Sequence, residues 1–183
     1  MKTKLLTFSE EQLLEFFLTH RGTASQLPDG TLLRADGIVS DDHYRIRLRK
    51  AYAKLLVSGN PDLLPITDIA ESLNDSLIIN PDTLVAEITL PEAILMPVEI
   101  SLTSWDTPVA TFYKPGHPIA ALQKNRFSQA RAAHPVAVIN RNKLLLYSAK
   151  STADRIDAAH MVVRPPENFY TFPEAALPII LDA

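Results

Sequence analysis

The sequence predicts an α+β fold in which short N-terminal helices pack on a predominantly antiparallel β-domain built of hairpins. Three observations predict it. Up to about residue 75, apolar residues recur at helical spacing between capping residues. Beyond that, short runs alternate apolar with polar residues. Fourteen prolines stand against five glycines, and from Pro61 onward a proline recurs at short intervals, as it does where strands are separated by stiff corners. The boundary is drawn between a helical region, 1–75, and a β-rich region, 76–183, which together form one compact unit.

The first helix is predicted to start at Ser9. Ser9 and Gln12 make a capping box, and Phe8 with Leu13 makes the matching hydrophobic staple. Leu13, Leu14, Phe16 and Phe17 form its apolar stripe, and it ends near Arg21-Gly22. Pro28-Asp29-Gly30 reads as a turn and Thr31–Leu33 as a brief strand. The second helix is the best-specified element. Ser40 is its cap, Asp41 and Asp42 sit where the helix dipole favours anions, and Gly59 follows its end. Tyr44, Leu48, Ala51, Tyr52 and Leu55 fall on one continuous stripe. Ile46, Ala53 and Leu56 give the other side a weaker apolar character. A helix with two apolar faces packs between other elements or against another subunit.

After Asn60-Pro61 a short helix is expected around Thr67–Leu73, then strands at Leu77–Ile79 and Leu84–Leu90 around a turn at Asn80-Pro81-Asp82. Val98, Ile100 and Leu102 alternate with Glu99, Ser101 and Thr103, the signature of a half-buried strand. Ser104-Trp105-Asp106-Thr107-Pro108 turns the chain into Val109–Tyr113. Lys114-Pro115-Gly116-His117-Pro118 breaks it, and Pro118 suits the first turn of a helix reaching about Gln129. Pro135–Ile139 and Lys143–Tyr147, joined by Asn140-Arg141-Asn142, read as a β-hairpin. A last run, Ala158–Val163, ends at Pro165-Pro166, which cannot extend a ladder. The apolar tail Ala175–Leu181 wants a partner unless the core covers it.

Composition narrows the function classes. Of 183 residues, 46% are apolar and 21% charged, an ordinary globular balance, and a net charge of −3 supplies no global field toward nucleic acid or anionic membrane. With no cysteine there are no disulfides, thiolate metal sites or cysteine nucleophile. Ser9-Glu10-Glu11 interrupts the N-terminal apolar stretch, so no signal peptide is expected, nor any membrane span. Cytoplasmic synthesis is the default expectation. Glycine-rich phosphate loops, HExxH and GxSxG are absent, and the five histidines lie far apart. Asp41-Asp42-His43 is better read as a helix start than as a metal or acid–base site. No catalytic residue, cofactor, metal or small-molecule substrate is indicated. An enzyme would require a site the sequence does not nominate.

The basic residues of the second helix form two rows. Arg47, Lys50 and Lys54 share one face, and Arg45 and Arg49 another. Such rows can touch phosphates, but they flank an apolar stripe without interleaved aromatics, so a solvated or subunit-facing side is the better reading. Trp105, the only tryptophan, either caps the core at a strand corner, the preferred reading, or anchors an interface. Phe169, Tyr170 and Phe172 suit core packing and partner docking equally.

Four segments carry a resemblance: VEISLTSW (Val98–Trp105), QKNRF (Gln123–Phe127), HPVAVINRNKLLLY (His134–Tyr147) and MVVRPPENFY (Met161–Tyr170). Their order resembles head-to-tail connector (neck, portal-adaptor) structural proteins of tailed phages and prophages of the Bacteroides type. The likeness covers a little over half the chain, through loose motifs. Ser148-Ala149 stands where that pattern has a proline after the hairpin tyrosine. The resemblance implies a non-enzymatic ring subunit of a phage or prophage neck, with other copies of itself and portal or tail proteins as partners, and the virion as its destination. Ile46, Arg47, Lys50, Lys54, Trp105, Tyr170, Phe172 and Leu177 are the interface candidates. The alternative is a cytoplasmic nucleic-acid-binding or regulatory module using the basic helix Arg45–Lys54.

Overall fold

Ser9 begins the first helix as its capping pattern predicts. The computed structural model describes residues 4–21, 24–26, 32–34, 41–125 and 127–182. Its contacts divide the chain into two units, Met1–Pro65 with Pro165–Ala183, and Ile66–Arg164. The architecture is α+β with mostly antiparallel sheets, as predicted. The expected boundary at residue 75 follows sequence order alone, whereas the contacts join both chain ends into one unit.

In this first unit, strand β1 (Leu5–Ser9) runs directly into helix α1 (Glu10–His20). The Gln12 amide donates to the Ser9 hydroxyl at 3.2 Å, and the Ser9 amide donates to Gln12 Oε1 at 3.0 Å. The capping box thereby satisfies donors that a helix start leaves open. Leu13, Leu14, Phe17 and Leu18 are buried, whereas Phe16, expected in the stripe, is 43% exposed. Leu18 takes its place because it lies one turn beyond Leu14, and Phe16 falls off that face.

Strands β2 (Ala24–Gln26) and β3 (Leu32–Arg34) pair antiparallel, so the brief strand expected at Thr31–Leu33 is met at Leu32–Arg34. The turn at Pro28-Asp29-Gly30 and the Ser40 cap lie outside the described residues. Helix α2 (Asp41–Leu56) buries Tyr44, Leu48, Tyr52 and Leu55. Gly59 turns the chain after it with φ +70°, a conformation glycine adopts without side-chain cost. A 3₁₀ turn, Pro61–Leu63, is capped by Asn60, whose Oδ1 accepts from the Asp62 amide at 3.1 Å.

The second unit opens with β4 (Ile66–Asp68) and α3 (Ala70–Asn74), where one helix over Thr67–Leu73 was expected. Thr67 pairs with Met161 instead, and Asp68 Oδ1 accepts from the amides of Ala70 and Ala159, ending the strand and starting the helix. Next come β5 (Leu77–Ile79), β6 (Ala86–Thr89), β7 (Ile94–Leu102) and β8 (Phe112–Tyr113). Asn80 Oδ1 closes the expected turn by accepting from the Asp82 and Thr83 amides. The strand β7 starts four residues earlier than its alternation suggests. Ile100, Ser101 and Leu102 are all buried, so this end is covered on both faces rather than half-buried. Val109–Tyr113 contributes only a bridge from Val109 to Ile100 and the two residues of β8.

Helix α4 (Pro118–Leu122) is much shorter than the expected span to Gln129. The Gln123 amide group is the reason: Nε2 donates to the Ile119 carbonyl at 2.9 Å, and Oε1 accepts from the Ala130 amide at 2.7 Å. Those bonds fold the following segment back rather than onward. Strands β9 (Val136–Asn140) and β10 (Lys143–Tyr147) form the predicted hairpin, with Asn140 facing Lys143 and Arg141 at φ +57°. Strand β11 (Ile156–Val163) stops before the double proline. The sheets run β5-β6-β10-β9-β8 and β4-β11-β7, antiparallel except for β8–β9. Their core is built on the fully buried Ile88, Ile100, Leu144, Leu146, Ala159 and Met161.

Strand β12 (Phe169–Pro173) returns to the first unit and pairs antiparallel with β1. A 3₁₀ turn, Glu174–Ala176, leads into helix α5 (Leu177–Leu181). The tail is therefore covered by its own core: Ala176, Ile180 and Leu181 are buried there.

Candidate functional site

Helix α2 organises the first unit because its sides do different work. The buried stripe of Tyr44, Leu48, Tyr52 and Leu55 meets Leu13 and Phe17 of α1, Tyr170 and Phe172 of β12, and Ile180 of α5. Aromatic rings fill much of that space. Tyr52 stands edge-on to Tyr170 with centroids 5.1 Å apart, and Phe172 stacks on Phe8 at 5.7 Å. Such pairs add stabilisation beyond their buried area. The Tyr52 hydroxyl donates to the Thr171 carbonyl at 3.0 Å and accepts from the Thr171 amide at 3.4 Å. Burial pushes the Tyr52 and Tyr170 phenols up from their ordinary value.

The flank toward α1 carries a bidentate ion pair. Arg49 Nε and Nη2 donate to Glu10 Oε1 and Oε2 at 2.7 and 2.9 Å, and the Tyr170 hydroxyl donates to Glu10 Oε1 at 3.2 Å. The Arg49 hydrogen bonds hold the Glu10 carboxyl below the usual carboxylate range, against the opposing effect of its burial. This cluster is structural in geometry: three hydrogen bonds tie α1, α2 and β12 together.

The other flank, toward α5, is open. Arg47, Lys50, Ala51 and Lys54 line a groove of about 540 Å³, with Leu55 and Ser58 at one end, Leu63 from the 3₁₀ turn, and Ile179 and Asp182 from α5. Three cations and the acid Asp182 thus line the groove beside the apolar Ala51, Leu55, Leu63 and Ile179. Ile46, at 50% exposed, and Val57, at 82%, continue the apolar surface along the outward side of α2.

The structure brings Arg47, Lys50 and Lys54 together as the basic row predicted from sequence, and it leaves Ile46 on the surface beside them. Leu177 is half-buried against the helical core. The other three interface candidates require correction as surface residues. Trp105 sits in the core of the second unit and donates its Nε1–H to the Ser148 carbonyl at 3.2 Å, the core-capping role preferred for it. Tyr170 and Phe172 are interior, because both side chains are packed under α2. Sequence reasoning missed Ile179, Asp182 and Leu63 as groove residues. The available signal was Pro178, which suits the first turn of a helix and would have converted the tail from a loose segment into a wall.

The second unit holds a wider basin of about 940 Å³, bordered by Lys124, Gln129, Tyr147, Ser148 and Lys150 among others. Asp82, Thr83 and Gln123 line it beside Leu84, Val85 and Ala130. Among the described residues no group of three or more histidine, aspartate or glutamate side chains is placed to hold a metal ion. Among the same residues no helix is long and apolar enough to cross a membrane. Comparison with protein-family models and with curated proteins found no match to this chain.

Proposed function

We propose that the chain is a non-enzymatic structural subunit that works by docking through the outer side of α2, as part of a ring at a phage or prophage neck. The observation that carries this reading is the groove itself. A mainly basic, charged lining around apolar side chains, continued by exposed Ile46 and Val57, matches the core-and-rim composition of protein interfaces. On the other flank the Glu10–Arg49 pair is already engaged in its own contacts. The order of the VEISLTSW, QKNRF, HPVAVINRNKLLLY and MVVRPPENFY segments supports the neck location, with portal or tail proteins as further neighbours and the virion as the site of action.

The test has two parts. Sedimentation of the purified chain over a range of concentrations reports self-association, and Lys50→Glu with Lys54→Glu is expected to weaken it. Peptides of this chain are then sought in density-banded particles released from an induced source culture. Co-banding with capsid proteins at a ring's worth of copies supports the neck role; a chain that stays wholly monomeric and outside the particles overturns it.

A second reading has its own observation. Arg47, Lys50 and Lys54 recur at i, i+3 and i+7 on one open side of α2, a spacing that suits nucleic-acid phosphates. Three such contacts give a slope of log affinity against log salt of roughly −2.7. Absence of duplex binding at low salt removes this reading.

A further inference from the structure

We propose that the second unit binds single-stranded nucleic acid, through the loop that follows α4 and the basin beside it. The inference goes beyond the docking reading and uses no part of α2. It starts from how charge is distributed along the chain. Between Asp106 and Asp154 there are seven lysine and arginine residues and no acid, while the whole chain carries a formal −3. Everything outside that stretch therefore totals −10, so a small net charge conceals a strongly basic segment. Folding neutralises part of it, since Lys143 pairs with Glu87. Lys124, Arg131 and Lys150 stay exposed, and among the described residues none of the three has an ion pair.

Phe127 supplies the second observation. Its ring is 92% exposed, more than any other large apolar side chain among the described residues. The loop that carries it is fixed by hydrogen bonds. Asn125 Oδ1 accepts from the Phe127 amide at 3.0 Å, and the Ser128 hydroxyl donates to the Leu122 carbonyl at 3.0 Å. On the far side the Ala130 amide is bonded to the buried Gln123. The backbone is thus held on both sides of a ring that stands in water. Cations lie close by in the fold. Lys124 and Lys150 line the basin with Gln129, Tyr147 and one acid, Asp82, and Arg131 stands between its lining residues Ala130 and Ala132. Cations for the phosphates and an aromatic face for a base together hold single strands without reading their sequence. In a duplex the base faces are already stacked on one another, so the ring favours a single strand.

The test is fluorescence anisotropy of a labelled mixed-sequence strand, as DNA and as RNA, with the matching duplex for comparison and at several salt concentrations. The expected result is tighter binding of one or both strands than of the duplex. If Lys124, Arg131 and Lys150 each neutralise one phosphate, log affinity falls against log salt with a slope of roughly −2.1. Lys124→Gln with Lys150→Gln should reduce that slope by about 1.4. Phe127→Ala, at a surface position, should weaken binding about tenfold, and Phe127→Trp should retain it. Asp82→Asn removes the one acid of the basin and should tighten binding. No strand binding at low salt, equal affinity for the duplex, or strand binding indifferent to Phe127→Ala overturns the proposal. So does loss of strand binding on Lys50→Glu with Lys54→Glu alone, which would put the phosphates on α2. Capture by vesicles containing phosphatidylserine, abolished by Phe127→Ala and without strand binding, would make the loop a membrane contact and equally overturns it. The docking reading is tested separately by sedimentation, so either can fail without the other.

Discussion

In the first unit the open edge of β12 is closed by a phenol: Tyr52 bonds both the carbonyl and the amide of Thr171. In the second unit the corresponding task falls to a carboxamide. Strand β4 pairs only with His160–Val162, and beyond its reach Asn74 donates to the Ile156 carbonyl at 3.0 Å and accepts from the Ile156 amide at 2.8 Å. Both side chains act as a short extra strand, since an unpaired edge is a template for unwanted pairing. They differ in what surrounds them. Tyr52 belongs to a network of ionisable groups and rings, with Tyr170, Glu10 and Arg49, whereas Asn74 cannot ionise. The units also differ in where the backbone is strained. Among the described non-glycine residues, Leu84, Arg141 and Ser148 of the β unit have positive φ, against Asn168 alone in the helical unit. The helical unit relies on side-chain pairs, and the β unit relies on corners.

The largest test of that contrast is the aromatic cluster. Phe172→Ala should cost about 3–5 kcal/mol, because the ring is fully buried against Phe8 and Tyr52. Leu146→Ala in the β core should cost about 2–5 kcal/mol by the same cavity argument. Urea unfolding of both variants measures the difference. A Phe172→Ala cost below that of Leu146→Ala would mean that the rings contribute no more than aliphatic packing.

Asn74→Ala should cost about 1–3 kcal/mol, since it leaves a donor and an acceptor of Ile156 without partners. Hydrogen exchange should show the loss first at the Ile156 amide. Protection unchanged there would assign the edge to something other than Asn74.

Arg141→Gly should be stabilising by at most about 1 kcal/mol, the left-handed cost relieved less the extra freedom glycine has when unfolded. Thermal unfolding at equal concentration checks the sign. A loss of stability would locate the role of Arg141 in its side chain rather than in the turn.

The smallest effect is a pH slope peculiar to the helical unit. The folded Glu10 carboxyl lies below its ordinary value of 4.5, so the unfolded chain binds the proton more readily. The contribution of the pair is therefore fully present above about pH 4.5 and is lost as the pH falls through the depressed folded value. Glu10→Gln should remove that part of the acid dependence and leave the neutral-pH fold intact. Identical acid unfolding curves for the two chains would show that the exposed Arg49 contributes nothing measurable, as many surface pairs do.

How much was legible from sequence follows from how local each signal is. The Ser9–Gln12 box, the Asn80 turn and the Asn140–Lys143 hairpin each involve residues within a few positions of one another, and each formed as read. The short strand β4 and the early half of β7 were illegible, because they are strands only through pairing with β11, more than ninety and more than sixty residues away in sequence, respectively. The groove was half legible. Arg47, Lys50 and Lys54 share a side by helical geometry alone, but its far wall, Ile179 and Asp182, comes from the other end of the chain.

The sequence by itself determined the Ser9 cap, the turns at Asn80 and at Asn140–Asn142, the identity of the two main helices and the sides of α2, because helical periodicity and capping chemistry act over one or two turns. Only the tertiary structure decided that β1 pairs with β12, that the tail folds in as α5, and that Trp105, Tyr170 and Phe172 are interior. The reason is physical. Burial of an aromatic residue depends on which distant surface covers it, and a strand's partner is chosen by the whole packed core rather than by its own few residues.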